Sequence, residues 1–180
     1  VYCKPCFNFC QYLFEKLAII IPVIKLTRIS KLINLPVFSK KDNVTLGRIE
    51  DVLYNPKTME VIGYHVSCGF IIKRPKFLYA SKILEIKNSM VYVESKDSLI
   101  AHKKSYKLKK YKFFQKDTAG IGITLNGWKI GSVSDMIANS NKIFAFEISN
   151  GFAEDILNGR KKININNNVN FGNNNIEIND

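Results

Sequence analysis

The 180-residue sequence predicts an all-β protein assembled as two tandem copies of one small domain, on the strength of two observations. The first is internal repetition. Leu46-Gly47-Arg48-Ile49-Glu50-Asp51-Val52 returns as Ile130-Gly131-Ser132-Val133-Ser134-Asp135-Met136, each reading apolar, Gly, polar, apolar, polar, Asp, apolar. Tyr64-His65-Val66-Ser67-Cys68-Gly69-Phe70 returns as Phe146-Glu147-Ile148-Ser149-Asn150-Gly151-Phe152. The offsets are 84 and 82, and the slip falls between Tyr54–Glu60 and Ala138–Lys142, turn segments in which a repeated β-unit tolerates an indel. The second observation is texture: from Lys25 onward short apolar runs alternate with turn residues, as in small β-domains. Units of this size bury only about 60% of their unfolded-chain surface, so the copies are expected to lean on each other.

Residues 1–24 stand apart. Their densest apolar run, Leu17 to Ile24, is too short for a bilayer that needs about 20 residues, and Glu15-Lys16 interrupts any longer window. No basic start or small-residue cleavage site marks a signal peptide. Residues 5–21 hold a possible short N-terminal helix, and an amphipathic surface anchor is the functional alternative. Because the chain opens with Val and the repeat pattern begins at Lys25, residues 1–23 are expected to come from an over-extended gene start and to be dispensable. Cys3, Cys6 and Cys10 have metal-like spacing, but no fourth Cys or His is near them, so neither metal nor cofactor is expected.

The first copy, residues 25–99, reads as follows. Leu35 to Phe38 is a strand before the Lys40-Lys41-Asp42-Asn43 turn. Leu46 to Tyr54 is a strand ended by Asn55-Pro56. Val61 to Cys68 alternates, with Ile62, Tyr64 and Val66 on one face and His65 on the other. Gly69 opens a loop holding Lys73-Arg74-Pro75-Lys76, and Ile83–Ile86 and Met90–Val93 form a hairpin across Lys87-Asn88-Ser89. The second copy, residues 118–180, repeats the order. Its Asn-rich end keeps a period of two through Ile163, Ile165, Val169 and Phe171, and Phe171–Ile178 matches Ile86–Val93, so strands with asparagine turns are expected there. Acids early, then Gly159 and Arg160, mark Phe152–Arg160 as a short helix.

Gly47 and Gly131 sit just inside a strand, where a small barrel requires a bulge or a backbone approach that a Cβ would block. Closing each sheet into a barrel would also remove adhesive edges. Asp51 and Asp135 are candidate carboxylates for catalysis, but their recurrence favours bonding to a turn backbone. No Ser/His/Asp or Cys/His set and no phosphate loop stands out, and His65 and Cys68 alternate onto opposite faces of one strand. No enzymatic activity is expected.

These glycine and apolar spacings, with Leu26 to Val37 as an opening and Ser149-Asn150-Gly151-Phe152 and Leu157-Asn158-Gly159-Arg160 in the second copy, resemble the PRC-barrel family. The likeness covers about residues 25–99 and 118–180 and implies two tandem PRC-type β-barrels. In it Gly47, Asp51, Gly69, Gly131, Asp135 and Gly151 are structural positions, and no catalytic residue is implied. Relatives are the reaction-centre H subunit and the C-terminal barrel of the ribosome maturation factor, which implies a non-catalytic adaptor binding a protein partner in a bacterial cytoplasm.

The charge of +12 is uneven: +1 over residues 1–24, +6 over 25–100, +6 over 101–117 and −1 over 118–180. The linker, residues 100–117, carries Lys103, Lys104, Tyr106, Lys107, Lys109, Lys110, Tyr111 and Lys112. Lysines with interleaved aromatics suit an RNA backbone with Tyr106 and Tyr111 stacking on bases. An acidic protein or membrane surface fits the same charge, and so does a solvated connector whose Tyr106, Leu108 and Phe113 tuck under a barrel. The stretch has no arginine for planar bidentate recognition.

Overall fold

A computed structural model of the chain describes residues 27–69, 74–101, 110–165, 169–172 and 174–179. The expected N-terminal helix, Cys3, Cys6 and Cys10, and Lys103, Lys104, Tyr106, Lys107 and Lys109 lie outside these residues.

Among the described residues fifteen strands and two short α-helices follow in order: β1 (Thr27–Arg28), β2 (Pro36–Ser39), β3 (Val44–Tyr54), β4 (Val61–Cys68), β5 (Arg74–Tyr79), β6 (Ile83–Lys87), β7 (Met90–Val93), β8 (Leu99–Ala101), β9 (Lys112–Phe113), α1 (Phe114–Asp117), β10 (Gly122–Leu125), β11 (Trp128–Asn139), β12 (Lys142–Ser149), α2 (Phe152–Asn158), β13 (Lys161–Asn164), β14 (Val169–Phe171) and β15 (Asn175–Ile178). They form two small tandem barrels. The first runs β6-β7-β2-β3-β4-β5-β8 and the second β13-β12-β11-β10-β15-β14. In each, one parallel contact closes the central meander, β2 with β7 and β10 with β15. Among the described residues both sheet paths remain open at their ends, with β6 and β8, and β13 and β14, as the outermost strands.

The long strands β3 and β11 bend around the core at bulges. Register slips between Ile49 and Asp51 opposite β4, and between Val133 and Asp135 opposite β12. Such slips coil a strand strongly enough to serve a small barrel. Ile49, Val52, Val66, Val91 and Val93 fill one interior, and Ile123, Met136, Phe146, Ile148 and Ile176 the other. The two sets merge into one apolar cluster.

That merger has a definite construction. β1 leaves the first copy and pairs with β11, Thr27 opposite Ala138 and Arg28 opposite Ile137. β9 does the converse and pairs with β3, Leu53 opposite Phe113 and Tyr54 opposite Lys112. Buried Ile29 and Phe114 follow the two exchanged strands as matching plugs. The hairpin turns containing the two-residue slip also meet, with Val61 N donating to Asn141 O (2.7 Å) and Ile143 N donating to Met59 O (2.8 Å). The loops that tolerated the indel are thus part of the seam between the barrels.

Three features depart from the sequence reading. Arg74-Pro75-Lys76 is not a loop but the start of β5, paired with both β4 and β8. Among the described residues β8 pairing begins at Lys76, which leaves Pro75 at the end of that pairing, where a missing N–H is tolerated. Fully buried Phe77 and Leu78 anchor the strand. The region assigned to a linker contributes β8, β9 and α1, of which α1 carries no helical signal in its own sequence. Finally, edges persist where closure was expected to remove them.

Candidate partner-binding surfaces

The structural positions come first. A Cβ on Gly47 would collide with the Ser67 carbonyl oxygen and press on Val66 and Cys68. At Gly131 it would collide with Asn150 Oδ1, and the Ser149 carbonyl oxygen would lie only 2.6 Å away. Gly131 also has φ +138°, outside the range of ordinary L-residues. Gly69 and Gly151 follow β4 and β12 with φ +97° and +115°.

Asp51 and Asp135 are both buried and perform matching tasks in the exchange. Asp51 accepts from the backbone N–H of Gln115 (2.9 Å) and Lys116 (3.2 Å), the exposed donors of α1, and from its own neighbour Val52 (2.7 Å). Asp135 accepts from Ser30 N (3.0 Å), the Ser30 hydroxyl and Met136 N (2.8 Å). Each aspartate therefore caps the helical turn contributed by the other copy. A carboxylate there satisfies orphan N–H groups and meets the positive helix end. Asp117 reaches back to Phe113 N (2.8 Å), completing the cap of α1.

Beside each aspartate the clasps differ. On the second barrel Arg28 Nη2 pairs with Glu147 Oε1 at 2.7 Å, and Glu147 is almost wholly buried. On the first barrel, Phe113 packs on His65 with centroids 6.0 Å apart, and His65 Nδ1 lies 3.4 Å from Glu50 Oε2. Burial pushes the Cys68 thiol upward, which Lys76 only partly offsets. Among the described residues no three His, Cys, Asp or Glu side chains converge as metal ligands.

Of the basic segment, the structure describes Lys110, Tyr111 and Lys112. Lys110 Nζ lies 5.2 Å from the Tyr111 ring centroid, and Lys112 Nζ 5.8 Å from that of Phe171. Both lysines are thus drawn onto aromatic faces.

Besides Val44 on β3 and Tyr79 on β5, the exposed large apolar side chains of the described residues fall in two places. On β6, an edge strand of the first barrel, Leu84 and Ile86 are exposed while the Lys40–Glu85 ion pair (2.6 Å) pins the middle of the strand. At one end of the second barrel, Trp128 is 80% exposed, and Phe152, Ile156 and Leu157 of α2 are 83%, 66% and 82% exposed. A cleft of about 770 Å³ at this end is lined by Leu125, Ile130, Ile148 and Ile163 together with Lys129, next to Trp128, with Glu154 of α2 and with Lys161. A smaller cleft of about 400 Å³ occupies the corresponding place beside Gly47. Sequence reasoning identified the α2 helix but not its exposed face. The signal was there in Phe152, Ile156 and Leu157, yet the sequence does not say which side of a seven-residue helix meets the barrel.

α2 is attached by its polar side. Asp155 accepts from the Ser149 hydroxyl (2.7 Å) and from Arg160 Nε (3.2 Å). These bonds, the serine's foremost, hold the Asp155 carboxyl below the usual carboxylate range.

Fold and surfaces together define a class: a compact pair of β-barrels whose buried carboxylates serve the backbone and whose open edge and exposed apolar end face outward. Residues 25–100 match the PRC-barrel domain family, and this part of the chain is a PRC-barrel domain. No curated protein matches the chain. Among the described residues, no helix is long and apolar enough to cross a membrane.

Proposed function

We propose that the chain is a non-catalytic adaptor that binds another protein. The observation carrying this reading is the outer edge of β6, which no other described strand pairs, with Leu84 and Ile86 exposed on it. An open strand edge offers unpaired N–H and C=O groups to an extended segment of a partner, and alternate apolar side chains give that addition its specificity. The chemistry of the interior supports the non-catalytic part. Asp51 and Asp135 are committed to backbone donors, and the Cys68 thiol is held toward its neutral form. The exchanged strands hold the two barrels as one platform.

The test is capture from native extract by the full chain, with nuclease treatment as control, repeated with Leu84→Lys/Ile86→Lys. Charge on an edge strand opposes strand addition, so the captured protein should fall at least tenfold. Retention by the double-lysine variant would sink the edge reading. Loss on nuclease treatment would transfer the function to RNA binding through Lys103, Lys104, Lys107, Lys109, Lys110 and Lys112.

A further inference from the structure

The end of the second barrel has an arrangement that the strand-edge reading leaves unused. Seven-residue helices are marginal in water on propensity alone and ordinarily hold their place by burying an apolar face. α2 does the reverse. Every residue of it except Asp155 is exposed, and Asp155 is the one fixed to the barrel, through Ser149 and Arg160. Phe152, Ile156 and Leu157 therefore project outward. Trp128 also projects, directly after the tight Asn126-Gly127 turn where both residues have positive φ, and its neighbour Lys129 lines the same cleft as Gly151 and Glu154. Scattered single apolar residues on a surface require no explanation, but four large ones on two segments that share one cleft do.

Charge is gathered at the same end. Of the five Lys and Arg residues between 118 and 180, Lys129 and Lys161 line the cleft, while Arg160 is paired with Asp155 at 3.2 Å and Glu147 at 3.7 Å. The acids nearby are Glu154, within 3.4 Å of Asn150 Nδ2, and Asp155, covered by its bonds to Ser149 and Arg160. The remaining acids of that segment include Asp135 and Glu147, both buried. An otherwise slightly acidic half of the chain thus presents a small basic collar, Lys129 and Lys161, beside its protruding apolar residues.

We propose that this end of the second barrel docks on an anionic membrane surface, with Trp128, Phe152, Ile156 and Leu157 entering the interface and the basic residues contacting lipid headgroups. Protrusion decides between a bilayer and a protein. Side chains about four-fifths exposed on a hairpin tip and a one-sided helix suit a fluid occupant that fills in around them. Trp at the headgroup level, aliphatic residues deeper and Lys and Arg alongside form the pattern of interfacial binding. Anionic headgroups complement the collar at short range. The platform would then hold a partner of the first barrel at a membrane.

Trp128 is the sole tryptophan of the chain, so its emission reports this site alone. The full chain is mixed with phosphatidylcholine vesicles with and without phosphatidylglycerol. The expected result is a blue shift of Trp128 emission, quenching by brominated acyl chains and co-flotation, all dependent on phosphatidylglycerol. Phe152→Ser/Leu157→Ser should lower co-flotation at least tenfold, and Lys129→Gln and Lys161→Gln about fivefold each. All four positions are exposed, so an unchanged thermal melt will show that these variants fold. Undiminished co-flotation of Phe152→Ser/Leu157→Ser would overturn the proposal, since another segment would then hold the vesicle. So would an unshifted Trp128 spectrum on anionic vesicles, and a shift produced only by a protease-sensitive component of cell extract would assign the face to a protein instead.

Discussion

Removing the Asp51 carboxylate tests whether the reciprocal caps hold the barrels together. In Asp51→Ala the α1 donors Gln115 N and Lys116 N lose an acceptor that no other described side chain replaces, and Val52 N loses a third bond. A hydrogen bond to a charged group contributes about 1.5–3 kcal/mol, while loss of a helix cap alone costs about 0.5–2 kcal/mol. The two inter-copy bonds share one carboxylate and one short helix, so their losses are not independent. The expected total is about 3 kcal/mol, roughly 6–12 °C in melting temperature for a chain of this length. The location of the loss matters as much as its size. Without its cap, α1 should release Phe114 and, through β9, the pairing of Phe113 with Leu53. Urea unfolding combined with amide hydrogen exchange reads both quantities. Exchange at Gln115 and Lys116 should accelerate before that of β4. A change below about 0.5 kcal/mol, within the range of ordinary surface substitutions, with unaltered exchange at these two amides would refute the inter-copy cap.

Asp135→Ala should cost a similar amount, since it strips Ser30 N and the Ser30 hydroxyl of their acceptor, and exchange at Ser30 should accelerate in hydrogen-exchange measurements. Gly47→Val and Gly131→Val should each destabilise by about 1–3 kcal/mol in urea melts, because the added side chain meets a carbonyl oxygen across the strand pair; neutrality at both sites would contradict the close approach. Burial raises the Tyr64 hydroxyl to about 12. The unfolded chain loses that proton near pH 10 while the folded one retains it, so Tyr64 should make stability fall as pH rises from 10 to 12, by up to about 2.7 kcal/mol; burial raises Tyr54 as well, so Tyr64→Phe should lessen the fall and Tyr54→Phe/Tyr64→Phe should flatten it. If the linker lysines track about four phosphates, log affinity for single-stranded RNA should fall against log salt with a slope near −3, and absence of binding at about 50 mM salt would leave the segment as a connector.

Much of this architecture is visible in the sequence. The repeat marked β3 and β4, and β11 and β12, as successive strands about a turn, and it matched the hairpin ending at Val93 with strands in the Asn-rich end, because strand alternation and turn residues act over a few neighbouring positions. The glycines at 47 and 131 were readable for the same reason: a Gly just inside a strand reports a local steric demand. The purpose of Asp51 and Asp135 was only half readable. A recurrent aspartate implies a backbone partner, but that partner lies 64 residues away on the other copy in one case and 105 in the other. No local pattern encodes which sheet a two-residue strand such as β1 or β9 will join, since pairing at that length is decided by the plugs Ile29 and Phe114 finding their buried sites. β5 was obscured by Lys73-Arg74-Pro75, whose composition signals a loop until β8 is seen to begin one residue past the proline. Which face of α2 is exposed also rested on tertiary structure alone, because Asp155 anchors the helix only where Ser149 and Arg160 converge on it.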